Sequence, residues 1–221
     1  MGNELSQQKL ETYLWGCAEY LRNKIDAGDY KIYIFPMLFY KRISDVFDEE
    51  YAKLLKETND EKFAKNPINH QFKIPEGCHW NDLRKVTKNV GIKIQKSMQE
   101  IGKANPDTLY DIFGDANWGY KERLSDETLI DLIEHFSTEK LSLSRVPDDQ
   151  MGDGYEYLIK QFADDSGHTA AEFYTNRTVV SLMTKIVKPK PHESIYDPTC
   201  GTGGMLLECI NYLKRNKKDF R

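Results

Sequence analysis

Ile195-Tyr196-Asp197-Pro198-Thr199-Cys200-Gly201-Thr202-Gly203-Gly204 is the stretch whose reading decides the fold of the C-terminal part of the chain. A short β-prone run, Ser194 to Tyr196, ends at Asp197. A glycine-rich turn follows, and Met205, Leu206, Ile210 and Leu213 then recur at helical spacing. The pattern predicts strand, tight loop, helix. Gly201, Gly203 and Gly204 lack a Cβ, so the backbone can take positive φ and bring its amides against a ligand. Those amides open a helix, where unpaired N–H groups and the positive dipole end favour a carboxylate or phosphate. The expected site therefore holds a small polar ligand at the carboxyl end of a strand.

The spacing is neither the dinucleotide-binding G-x-G-x-x-G nor a P-loop, because no lysine follows the glycines. Asp197-Pro-Thr-Cys-Gly-Thr-Gly203 resembles the first motif of amino-methyltransferases that use S-adenosyl-L-methionine, in which the loop wraps the methionine part of the cofactor. A second string, Ala171-Glu172-Phe173-Tyr174-Thr175-Asn176-Arg177, precedes a predicted helix from Thr178 to Val187. It resembles the Gly-Glu-Phe-Tyr-Thr-Pro-Arg string of the modification subunit of type I restriction-modification systems, a DNA adenine methyltransferase. Ala171 replaces the usual Gly and Asn176 the usual Pro, so the first helical position loses a φ restraint. Thr175 can still cap the helix. Taken alone, Phe173 and Tyr174 read as core aromatics ahead of a capped helix; the nearby glycine loop favours the cofactor reading. Tyr30 to Val46 also resembles the N-terminal helical domain of the same subunit, so the likeness spans nearly the whole chain.

That resemblance implies cofactor contacts at Glu172, Phe173, Tyr174, Thr175, Asn176, Arg177, Thr202, Gly203 and Gly204, with Asp197 orienting the glycine loop. It implies S-adenosyl-L-methionine as cofactor and DNA as substrate. The implied partners are a specificity subunit that reads the DNA, a second modification subunit and a restriction subunit. The implied fold is mainly α: an N-terminal helical domain over 1–140, then over 141–221 the start of a Rossmann-like α/β methyltransferase domain. The family's catalytic Asn-Pro-Pro-aromatic string is expected well downstream of the loop. The Asn-Pro pairs present, Asn66-Pro67 and Asn105-Pro106, precede the loop and are followed by Ile68 and Asp107. No catalytic residue is therefore assigned. The expectation is an N-terminal piece of a longer methyltransferase, inactive alone. The competing expectation is an assembly module whose helical domain binds partners without chemistry; a methyltransferase acting on RNA or protein ranks below both.

Composition agrees with a globular protein: 221 residues, 39% hydrophobic and 30% charged, with net charge −4. Residues 1–140 carry 20 basic against 24 acidic side chains and residues 141–221 carry 11 of each. Neither half has the basic excess of a stand-alone DNA binder, so another subunit is expected to supply phosphate contacts. No apolar run suits a membrane helix, and Gly2 to Gln8 lacks a signal-peptide pattern, so a cytoplasmic protein without membrane contact is expected. The four cysteines, Cys17, Cys78, Cys200 and Cys209, form no Cys-x-x-Cys pair and read as thiols, with Cys200 inside the turn. The histidines share no metal-ligand spacing, and no metal site is expected.

Along the N-terminal region, Leu10, Tyr13, Leu14, Cys17, Leu21 and Ile25 predict a first amphipathic helix within Leu5 to Ile25 that ends near Gly28. Asp29 is the expected cap of a second, whose aromatic-rich stripe runs from Ile32 to Leu55 with a kink or true start at Pro36. Lys41 and Arg42 read as a solvated face. Phe72 to Pro75 reads as a short extended piece, and Trp80 to Ile101 as one helix. A short helical turn is expected around Leu109 to Phe113, and Ser125 is expected to cap a helix through Phe136. Residues 138–150 read as the connection between domains, with a further helix from Gly154 to about Ala163; the family resemblance implies that Tyr155 and Leu158 on it dock the helical domain on the catalytic one.

Overall fold

The computed structural model describes residues 4–166, 175, 177–200 and 203–216, with 163–166 as backbone only. Its helices are α1 (Gln7–Leu21), α2 (Tyr30–Thr58), α3 (Glu61–Lys65), α4 (Trp80–Leu83), α5 (Val90–Ala104), α6 (Asp126–Phe136), α7 (Asp148–Ser166), α8 (Arg177–Val187) and α9 (Gly204–Arg215). The described residues contain no strand. The chain divides into two compact units, Met1–His168 and Thr169–Arg221.

In the first unit α1 packs on α2, α6 and α7. Leu10, Leu14, Cys17 and Leu21, spaced by three or four residues, are wholly buried and form its inner stripe. Ser6 caps α1 by accepting the Lys9 N–H, and Ser125 caps α6 by accepting the Thr128 N–H at 3.2 Å. Helix α7 reaches α1 closely at Gly154, where a Cβ would lie 2.9 Å from a Leu14 methyl group. Phe162 of α7 sits among Trp15, Tyr30 and Phe35, with ring centroids 5.8 to 6.1 Å apart. Tyr155 lies 4.5 Å from the Phe35 ring, and Leu158 is fully buried. Both side chains thus pack inside this unit, because α7 itself belongs to it.

Helix α2 is the centre of the unit. Its middle turns are buried on every side, from Tyr33 to Phe47 with few exceptions. It runs through Pro36 without ending. At the seventh position, at the end of the second turn, the proline removes one ladder hydrogen bond, a loss offset by the burial of the turns around it. Asp29 stands at its N-cap but makes no side-chain cap; its carboxylate is taken instead by Arg123.

Three expectations are corrected here. The span Trp80 to Ile101 is two helices, because the chain breaks after Leu83 and Asn89 adopts left-handed backbone at φ 53°. Asp126, from the start of α6, accepts the N–H groups of Asn89 and Val90 at 3.0 and 2.9 Å and so caps α5 from a distant part of the chain. Helix α7 begins at Asp148, six residues before Gly154, where Asp148 and Asp149 complement the helix dipole. Lys41 and Arg42 are buried rather than solvated, at 3% and 8% exposure. The Arg42 guanidinium donates to the carbonyls of Leu141 and Val146 and pairs with Asp148. Asp45 accepts Lys41 and the Leu141 N–H. Burial pulls the Lys41 ammonium below its ordinary pKa, with Asp45 opposing that shift. Glu49 continues the same face of α2 and accepts from Ser142 and Ser144. Residues 141–148 are therefore a strap fastened along α2.

Phe72 to Ile74 has no strand partner; the Asn105 side chain serves in its place. Its amide accepts the Lys73 N–H and donates to the Lys73 carbonyl, both at 2.8 Å, and also donates to Ile101 at 2.8 Å. One buried amide closes both the extended segment and the end of α5.

Candidate cofactor loop

Among its described residues the second unit holds two helices, and each follows one of the strings singled out in the sequence. Thr175 is exposed just ahead of α8, whose first residue, Arg177, is half-buried. Asp197, Gly203 and Gly204 lead into α9. Glu172, Phe173, Tyr174, Asn176 and Thr202 lie outside the described residues. The helices pack through Val180 and Thr184 of α8 and Cys209 and Leu213 of α9, all buried. Thr184 returns its hydroxyl to the Val180 carbonyl at 3.0 Å and sits 4.0 Å from the Cys209 Sγ. This contact fixes the two helices whose N-termini carry the strings.

The loop itself is braced by its own polar groups. The Asp197 carboxylate accepts the Thr199 N–H at 3.0 Å and the Thr199 hydroxyl at 3.4 Å, forming an Asx turn directly after Pro198 is reached. The Gly203 N–H then donates to the Cys200 carbonyl at 2.7 Å. Gly203 sits at φ 78°, a left-handed conformation that a β-branched residue resists, and it is the N-cap of α9. The first intrahelical bond runs from the Leu207 N–H to the Gly203 carbonyl at 2.9 Å. Gly203 has no side chain with which to cap α9, so it leaves the first-turn amides without a side-chain cap of its own. Such a terminus suits a carboxylate.

Ser194 to Tyr196 does not form the expected strand. Ile195 and Tyr196 are exposed at 44% and 86%. A strand exists only through ladder bonds to a neighbour, and the described residues offer that run none. Cys200, expected inside the turn, is exposed, because the turn closes through its carbonyl and leaves its side chain outward. The sequence reading also missed Thr199, whose two bonds to Asp197 fix the loop; a hydroxyl two residues after an Asp is the signal that marks it. Among the described residues no group of three or more His, Cys, Asp or Glu could hold a metal ion, and no helix is long and apolar enough to cross a membrane. His70 and His135 instead bond the Ala64 and Tyr13 carbonyls at 2.7 and 2.8 Å.

The family models that match this chain define its class, a methylase. The family model described as the HsdM N-terminal domain matches residues 10–136, and that described as N-6 DNA Methylase matches residues 146–221. The chain belongs to the methylase subunits of type I restriction enzymes. It is 27% identical to the type I restriction enzyme MpnII methylase subunit of Mycoplasma pneumoniae, over 94% of this chain and 45% of that protein. The MjaIX methylase subunit of Methanocaldococcus jannaschii is 25% identical over 96% of this chain and 41% of its own length. A crystal structure of a type I restriction-modification methyltransferase subunit from Streptococcus thermophilus superimposes with a TM-score of 0.75 at 28% identity, covering 95% of this chain and 50% of that one. The chain spans less than half the length of these two curated relatives.

Proposed function

We propose that the chain carries the helical domain and the cofactor loop of a DNA adenine-N6 methyltransferase that uses S-adenosyl-L-methionine and works with a specificity subunit. The observation that carries this reading is the Gly203 turn: left-handed backbone at the glycine N-cap of α9, braced by the Asp197–Thr199 Asx turn. That geometry fits the carboxylate end of an amino-acid-bearing cofactor. Gly203, Gly204 and the first α9 amides hold the carboxylate, Asp197 fixes the loop, and Glu172 to Arg177, which precede α8 in the sequence up to its first residue, supply the other contacts. The bound cofactor supplies an electrophilic methyl group on a sulfonium. The step that holds the target adenine is assigned to an Asn-Pro-Pro-aromatic string that residues 1–221 do not contain. This chain thus contributes cofactor binding and assembly, and it is inactive alone. Its charge balance supports delegation of DNA reading to the specificity subunit, with a second modification subunit and a restriction subunit completing the assembly.

The second reading, an assembly module whose helical domain binds partners without chemistry, is favoured by the large side chains that this domain exposes at Ile68 (81%) and Tyr110 (88%). Calorimetric titration with S-adenosyl-L-methionine separates the two. Saturable binding that disappears in Asp197→Ala and in Gly203→Val supports cofactor binding. No heat from a chain whose helices are intact by circular dichroism leaves the assembly module standing.

A further inference from the structure

In the first unit, an open cleft of about 570 Å³ lies between α5 and the 106–118 loop. Its floor is apolar, formed by Met98, Leu109, Phe113 and Trp118. Gln95, Gln99, Asp111 and Asp115 line it with polar groups, and none of these four side chains bonds to another described residue. An apolar floor with a few uncommitted polar groups is the usual make-up of a ligand pocket, and the volume falls within the usual range of roughly 300–1,000 Å³. The loop is held in shape by left-handed backbone at Asp111 (φ 55°) and Gly114 (φ 58°), closed by the Gly114 N–H to the Asp111 carbonyl at 3.1 Å. Left-handed backbone is uncommon for a residue with a side chain, and here it shapes the wall of the cleft.

Charge selects among ligands. Lys103, the cation of the lining, is already paired with Glu100 at 3.0 Å, whereas the two aspartates have no partner among the described residues. The cleft therefore presents uncompensated negative charge around an apolar floor. Tyr110, on the same lining, is 88% exposed. A large aromatic held open beside a pocket is a feature of protein interfaces, where tyrosines anchor contacts at low entropic cost.

We propose that this cleft is a docking site for a partner protein, which inserts an apolar side chain flanked by arginine or lysine. The apolar group takes the floor, the cation meets Asp111 and Asp115, and Tyr110 covers the insertion. Gly102 gives a clean probe: it lines the cleft, and a Cβ built there meets nothing within 4 Å. Gly102→Leu fills the space from a helical position without disturbing the core.

The test is amide chemical-shift mapping on the 221-residue chain. The probes are acetyl-Gly-Arg-Leu-Arg-Phe-Gly-amide, the same peptide with glutamate for both arginines, and tryptamine as a free cationic aromatic. The proposal expects saturable shifts within 106–118 for the arginine peptide, at least roughly tenfold weaker binding of the glutamate peptide, and loss of binding in Gly102→Leu with an undiminished melting temperature. Asp111→Asn with Asp115→Asn is expected to weaken the arginine peptide at least about fivefold. Equal binding of the two peptides, no binding by either, or binding of tryptamine alone overturns it; the last outcome makes the cleft a small-molecule site.

Discussion

The Arg42 guanidinium donates to the Val146 carbonyl at 2.6 Å, joining the middle of α2 to the residue before Pro147 and the start of α7. The same group reaches the Leu141 carbonyl and the Asp148 carboxylate, so a single side chain fastens both ends of the strap. Arg42→Met keeps the stem and removes every donor. Two buried carbonyls lose their partner, and Asp45 still holds only the Leu141 end of the strap. The expected cost is about 3 kcal/mol in urea unfolding monitored by far-ultraviolet circular dichroism. Amide exchange is expected to speed up across 141–150 while α5 stays protected. An unchanged unfolding midpoint shows that the strap is held without Arg42.

Two glycines of α5 are expected to respond with opposite signs. A Cβ at Gly91 would stand 1.8 Å from the Trp118 carbonyl oxygen and 2.7 Å from its carbon, both backbone atoms. Gly91→Ala must therefore move the 116–118 segment, at an expected cost of at least about 2 kcal/mol. At Gly102 the space is open, and Gly102→Ala is expected to stabilise by about 0.5 kcal/mol through reduced backbone entropy in the unfolded chain. Paired thermal melts of the two variants check both signs at once.

Asp126 links pH to the join between α5 and α6. The Lys121 ammonium at 3.0 Å, with the Val90 and Asn89 amides, holds its carboxyl below the usual carboxylate range. A carboxyl with a depressed folded pKa contributes stability above its unfolded value of about 3.9, and that contribution is lost as pH falls through the folded pKa. Asp126→Asn is thus expected to be less stable than the parent at pH 7, with the gap closing as the pH falls below about 4. Denaturant midpoints measured across that range test the linkage; a gap independent of pH assigns the effect to hydrogen-bond geometry alone.

Legibility in the sequence follows from how local each cause is. The stripe of α1 and the whole of α6 could be read because their causes are local: Leu10, Leu14, Cys17 and Leu21 are all wholly buried, and Ser125 caps within three residues; the end of α1 at Leu21, instead of near Gly28, could not, since it follows from left-handed backbone at Asn23 (φ 62°). The break between α4 and α5 could not, since Leu83, Val86 and Val90 continue a helical period while the cap that ends it comes from Asp126. Arg42 carried a readable signal, because it lies four residues from each of Leu38 and Val46, both 1% exposed and on the same face of α2. A charge in such a row points to buried carbonyls, not to solvent. Asn105 gave no such sign: its role depends on Lys73, more than thirty residues away. In the second unit the strings were legible as strings, and the helices they open are where periodicity placed them. The strand at Ser194 to Tyr196 was not, since pairing is a property of a neighbour and not of the run itself.

Cys200 offers a chemical readout of the glycine loop. It is the exposed member of the four cysteines; Cys17, Cys78 and Cys209 are buried. Burial also pushes the Cys17 thiol well above its ordinary pKa, which lowers its thiolate fraction further. Native alkylation with iodoacetamide, followed by peptide mass spectrometry, is therefore expected to label Cys200 roughly tenfold or more faster than the other three. Cys200→Ser removes that fast phase. Since the Cys200 carbonyl closes the turn onto the Gly203 N–H, a ligand seated on the α9 amides sits directly against this residue. Saturating S-adenosyl-L-methionine is expected to slow the labelling, and Gly203→Val to abolish that protection while leaving Cys200 reactive. Labelling that ignores the cofactor in the parent chain separates the loop from cofactor binding, whatever the helices of the second unit are doing.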